Sequence, residues 1–147
     1  MQINRILAAI DDSDFTSKVT QMAVAMAKAM NAQLGLISVV DPTPLVMSAD
    51  NVVYPPEMIT DLVNATNEML ENTKKELGDA NVLVFSPQGN PREMIIETAR
   101  DWDADLIIIG THGRTGLMHL VMGSVAESVI RHSNIPVLVV PSKKEIH

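Results

Sequence analysis

A strict alternation constrains this chain more than any single residue does. Five short apolar runs, INRILAAI (3–10), QLGLISVV (33–40), NVLVFS (81–86), DLIIIG (105–110) and IPVLVV (135–140), are separated by four amphipathic stretches. The runs read as strands, and the unbroken apolar character of DLIIIG suits a strand buried on both faces. Between the first two runs, Phe15, Val19, Met22, Met26 and Met30 recur at spacings of four and three. This predicts a helix over about 14–30, with the methionine stripe packed into the core. Pro55-Pro56 leads into a helix over about 57–77, with Ile59, Leu62, Val63, Leu70 and Leu77 on one side. Pro91 suits the first turn of a helix over about 91–102, and a last helix covers about 123–133. The segment 41–56 holds four prolines and reads as a long loop, of the kind that often carries function.

Strands alternating with helices imply a parallel sheet with helices on both faces. The expected fold is a three-layer, Rossmann-like α/β domain over 1–142, followed by a polar tail at 143–147. With strand order 3-2-1-4-5, the switch point lies beside the first strand, where ligands bind at the carboxyl ends. The loops that meet there are DDSD (11–14) and GTHGRTG (110–116).

The formal net charge of −7 and the sparse basic residues argue against wrapping nucleic acid. At 3% aromatic content, base-stacking platforms are not expected either. The chain has no cysteine, so disulfides and thiolate chemistry are excluded. No apolar run is long enough to span a membrane, and MQINRILAAIDD lacks a signal peptide's pattern. A cytoplasmic protein is expected.

GTHGRTGLMHLVMGSVAES (110–128) concentrates the glycines. Glycines free the backbone to take positive φ and turn successive N–H groups inward, which attracts anions. The following helix adds its own N-terminal N–H groups and dipole. In that arrangement Gly123 permits close approach, Ser124 offers a hydroxyl, and His112 and Arg114 offer charge or hydrogen bonds. Plainer readings stand beside these. Ser124 and Glu127 fit a capping box, His112 fits a solvated surface histidine, Asp11 and Asp12 fit helix-start acids, and Thr115-Gly116 fits a turn. The Walker pattern, G-x-G-x-x-G and G-x-S-x-G are all absent. The four histidines lack zinc-site spacing.

Gly110, Gly113 and Gly123-Ser124 form G-x-x-G, nine residues, then G-S. Together with RILAAIDDSD, GNPREMIIETARDWDADLIIIGTHGRTG and GSVAESVIRHSNIPVLVVP, this resembles the ATP-binding branch of the universal stress protein family. The resemblance implies binding of ATP, or of ADP or AMP, with Mg²⁺. Carried over by position, it implies contacts from Ala9, Ile10 and Asp11, with Asp11 on the ribose or metal side. It places Val39 on adenine, Ile109 beside the base, and Gly110, Gly113, Gly123, Ser124 and Val125 on ribose and phosphate. One departure is Asp11-Asp12-Ser13, where many members have D-G-S or D-F-S; the extra carboxylate either repels a polyphosphate or helps hold the metal. The resemblance also implies a homodimer paired through the last strand, 135–140.

The leading expectation is a nucleotide-dependent regulatory protein of the stress response, with a regulatory protein partner that the sequence does not name. The alternative is a slow ATPase or nucleotide-dependent transferase, for which no positioned catalytic pair is visible. A phospho-receiver domain needs an aspartate ending the third strand and a lysine ending the fifth, and neither is present.

Overall fold

In the computed structural model, residues 1–13, 16–43, 55–112 and 122–141 are described. The first apolar run forms β1 (Arg5–Ala9) at the centre of a five-stranded sheet. It pairs in parallel with β2 (Gln33–Ile37) on one side and β4 (Leu106–Gly110) on the other. The outer strands are β3 (Leu83–Phe85) and β5 (Val137–Val140), again parallel to their neighbours. The order is 3-2-1-4-5, the expected one, and it sets the switch point beside β1.

The intervening helices are α1 (Thr16–Met30), α2 (Pro56–Leu77), α3 (Pro91–Asp101) and α4 (Ser124–His132). Side chains alternate across a strand, so the sheet feeds two cores. Ile6 and Ala8 pack with Val19 and Ala23 of α1 and Leu70 of α2. Leu7 and Ile107 pack on the other face with Ile95 and Ala99 of α3 and Val129 of α4. Burying a leucine or isoleucine contributes roughly 1.5–3 kcal/mol, and Ile6, Leu7, Ile107 and Ile108 are all fully buried.

Local signals fix the helix ends. Asn90 caps α3 by accepting from Arg92 N–H at 2.9 Å, and Pro91 occupies the first turn. Pro56 opens α2, and Gly78 ends it in the left-handed region at φ 68°.

Two expectations need correction. The strands are shorter than their apolar runs, with β1 ending at Ala9 and β2 at Ile37. Beyond β2, for example, Val40 makes only an isolated bridge to Gln88. The methionine stripe of α1 is also not its core face. Val19, Thr20 and Ala23 are buried, whereas Met22 and Met30 are 40% and 38% exposed. The buried face runs through Val19, Thr20 and Ala23, which leaves Met22 and Met30 on its flanks. Met26 still packs partly against the core, and Phe15 lies outside the described residues.

Candidate functional site

The carboxyl ends of β1, β2 and β4 open into a cleft of about 470 Å³. It exists because β1 and β2 part there. Ile10 N–H still donates to Ile37 O at 2.9 Å, but the chain then leaves the sheet to build α1. On its outer side β2 stays engaged: Ser38 N–H donates to Phe85 O at 3.0 Å and Val40 N–H to Pro87 O at 2.8 Å. Backbone groups alternate in direction along an extended chain, so the N–H and C=O of Val39 face the parting. Neither has a backbone partner among the described residues. A half-buried donor and acceptor side by side, without partners, are what a ligand edge can satisfy.

Most sequence-predicted residues meet at this cleft. Ala9, Ile10 and Asp11 come from β1 and its end, Val39 from beyond β2, and Ile109, Gly110 and His112 from β4 and its end. Gly123, Ser124 and Val125 come from the start of α4. Gly113 and Arg114 lie outside the described residues, as does the Thr115-Gly116 turn.

Several individual readings change. Ser124 does not cap α4: the cap position is Gly123, with no side-chain hydrogen bond, and Ser124 is the first helical residue. Glu127 instead pairs with Arg131 at 2.8 Å. Neither Gly110 nor Gly123 adopts positive φ. What Gly123 closely approaches is protein. Its N–H donates to Thr111 O at 2.5 Å, and a Cβ there would lie 3.0 Å from the same oxygen. At Gly110 a Cβ would sit 3.3 Å from Val19 of α1. His112 is not a solvated surface residue; it is 7% exposed, with Nδ1 3.2 Å from Thr111 Oγ1. Asp11 does not act as a first-turn acid of α1, because its Oδ1 accepts from Ser13 N–H at 2.9 Å.

The anion-attracting end is therefore the first turn of α4 itself. Glu127 N–H makes the first bond back, to Gly123 O at 3.1 Å. The N–H groups of Ser124, Val125 and Ala126 precede that ladder and have no backbone partner among the described residues, and all three residues line the cleft.

Sequence reasoning missed part of the wall. Leu62, Ala65, Thr66 and Met69 of α2 face the same cleft; only Leu62 stood out, and then as a core residue. Thr16 and Ser38 were missed as well, because an isolated hydroxyl carries no motif. Ser13 Oγ is buried and has no hydrogen-bond partner among the described residues. A second depression, of about 480 Å³, lies at the amino ends of β2 and β3, between Lys28, Gln33, Leu77 and Asp79. It gathers none of the predicted residues.

These features define an α/β protein with a cleft at the switch point of a parallel sheet, apolar at its floor and rich in backbone donors at one end. The universal stress protein family model matches residues 2–141. The chain is 35% identical to universal stress protein MJ0531 of Methanocaldococcus jannaschii, over 96% of this chain and 84% of that one. It is 32% identical to universal stress protein YxiE of Bacillus subtilis, over 93% and 98% of the two chains. The solved structure of MJ0577, another universal stress protein of M. jannaschii, superposes with a TM-score of 0.77 at 33% identity, over 99% of this chain and 100% of that one. The protein belongs to the universal stress protein family.

Proposed function

We propose that this protein binds an adenine nucleotide, ATP or its ADP or AMP forms, in the strand-end cleft and acts as a nucleotide-dependent regulator. The observation that carries the reading is the N–H and C=O of Val39, side by side at the parting of β1 and β2 with no backbone partner among the described residues. A neighbouring ring acceptor and amino donor, as on the edge of adenine, complement that pair. Guanine offers a carbonyl and a ring N–H in the same places and opposes both groups. Ile10, Ile109 and Val40 supply an aliphatic floor for the base. The open N–H groups at the start of α4 suit phosphate.

Mg²⁺ would arrive with the phosphates and offset their charge, since among the described residues no group of three metal-ligating side chains is assembled. We read residues 1–142 as one binding unit. The edge strand β5 is the surface through which two copies pair, its outer side having no strand partner among the described residues.

The test is native mass spectrometry of the purified protein beside Val39→Pro. Proline removes an N–H that the sheet does not use, so the fold should persist while co-purifying adenine nucleotide disappears. A Val39→Pro protein that retains the parent's nucleotide, or a parent that carries none and binds no Mg-ATP in calorimetry, overturns the reading.

A further inference from the structure

The turn between β1 and α1 ties Asp11 down through one oxygen. Asp11 N–H donates to Thr16 Oγ1 at 3.0 Å. The Thr16 hydroxyl lies 2.6 Å from the Asp11 carbonyl oxygen and 3.0 Å from Asp11 Oδ1. Its single proton is shared between those two acceptors. Ser13 N–H donates to the same Oδ1 at 2.9 Å. Asp11 Oδ1 is thus engaged twice, while Oδ2 has no partner among the described residues. Both Asp11 and Thr16 line the cleft.

We propose that Thr16 is a positioning residue of the site: its hydroxyl locks the Asp11 carboxylate so that Oδ2 alone is presented to a ligand hydroxyl. The inference rests on the nucleotide reading above and adds which residue sets the sugar end of the cleft. The chemistry of the free atom decides the class of group it takes. A carboxylate oxygen accepts and cannot donate, so it suits the hydroxyls of a ribose and opposes a phosphate oxygen. The cleft therefore has a polarity: hydroxyl donors at Asp11, anionic oxygens at the first turn of α4. Holding the carboxylate in one rotamer before binding removes the ordering cost that a loose side chain incurs on complex formation.

The experiment is a calorimetric cycle on the full chain with Mg-ATP and with Mg-2′,3′-dideoxy-ATP. Thr16→Val keeps the shape and deletes the hydroxyl. It should weaken Mg-ATP binding on the order of tenfold, the size of one hydrogen bond to a charged group. Thr16→Ser should restore the affinity to within about twofold. Dideoxy-ATP, which has no sugar hydroxyl to offer, should bind Thr16→Val and parent alike, and Thr16→Val should add nothing in an Asp11→Ala background. Equal losses for both nucleotides, or a further loss in Asp11→Ala, would mean that Thr16 only braces the turn and would overturn the proposal. So would a Thr16→Val protein with parental Mg-ATP affinity, and that result leaves the nucleotide reading standing. A parent protein that binds neither nucleotide overturns both.

Discussion

Gly123→Ala separates two reasons for a glycine at the start of α4. If the glycine serves only to admit a phosphate, the substitution affects binding and leaves the unliganded protein as stable as before. The structure gives a different outcome. The Cβ would stand 3.0 Å from Thr111 O, an oxygen already bonded to Gly123 N–H at 2.5 Å. Thr111 has little room to retreat, because its own N–H donates to Val140 O at 3.0 Å. Relieving such an overpacked contact costs about 1–3 kcal/mol. Against this, Gly123 sits at φ −68° and ψ 156°, which alanine adopts freely, so reduced freedom of the unfolded chain returns about 0.4–1 kcal/mol. The contact wins, leaving a net loss of about 1–2 kcal/mol, or roughly 2–8 °C in Tm for a chain of this size. Differential scanning calorimetry of nucleotide-free protein checks it. A variant that melts with or above the parent would refute the claim that Gly123 is there for the Thr111 contact.

Further predictions concern residues away from the cleft floor. A Cβ at Gly35 would lie 3.0 Å from both the Phe85 and Trp102 rings, so Gly35→Ala should destabilise by about 1–3 kcal/mol and shift the emission of the chain's single tryptophan; denaturant titration reads both. Asp105 Oδ2 accepts from Asn4 N–H at 2.7 Å and Arg5 N–H at 3.0 Å, at the amino end of β1. Asp105→Ala should lower stability by about 1–3 kcal/mol with Mg-ATP affinity unchanged, as paired melting and calorimetry would show. Pro136 O, just before β5, accepts from Ile107 N–H and Val140 O from Thr111 N–H, so by alternation the backbone groups of Val137 and Val139 face the outer edge. Val139→Pro should therefore abolish pairing between copies and spare the β4–β5 ladder; a dimer persisting in sedimentation velocity would sink the edge-pairing proposal.

The fold was legible because its signals are local and repeated. Five apolar runs and the prolines that open α2 and α3 each act within a few residues. That the loops at Asp11 and Gly110 meet at one cleft was legible too, since it follows from strand order and the switch point; Val39 and Ile109 were placed there only by the family resemblance. What escaped depends on contacts between distant parts of the chain. The contact of Gly123 with Thr111 O was hidden because nothing nearby in sequence reveals it. His112 looked solvated, yet its burial comes from packing that no histidine spacing encodes. The wall from Ala65, Thr66 and Met69 was hidden because the angle at which α2 crosses the sheet is set by tertiary packing. Thr16 escaped for a related reason: its hydroxyl acts through Asp11 across a turn, with no repeating pattern to mark it.

Isothermal titration calorimetry of the nucleotide-free protein with Mg-ATP and, separately, Mg-GTP tests the central claim most directly. An adenine edge read by the Val39 backbone predicts saturable binding of one Mg-ATP per chain, with Mg-GTP at least about tenfold weaker, since opposing a donor–acceptor pair costs about one hydrogen bond or more. Equal affinity for the two nucleotides, or no binding of Mg-ATP, would contradict it.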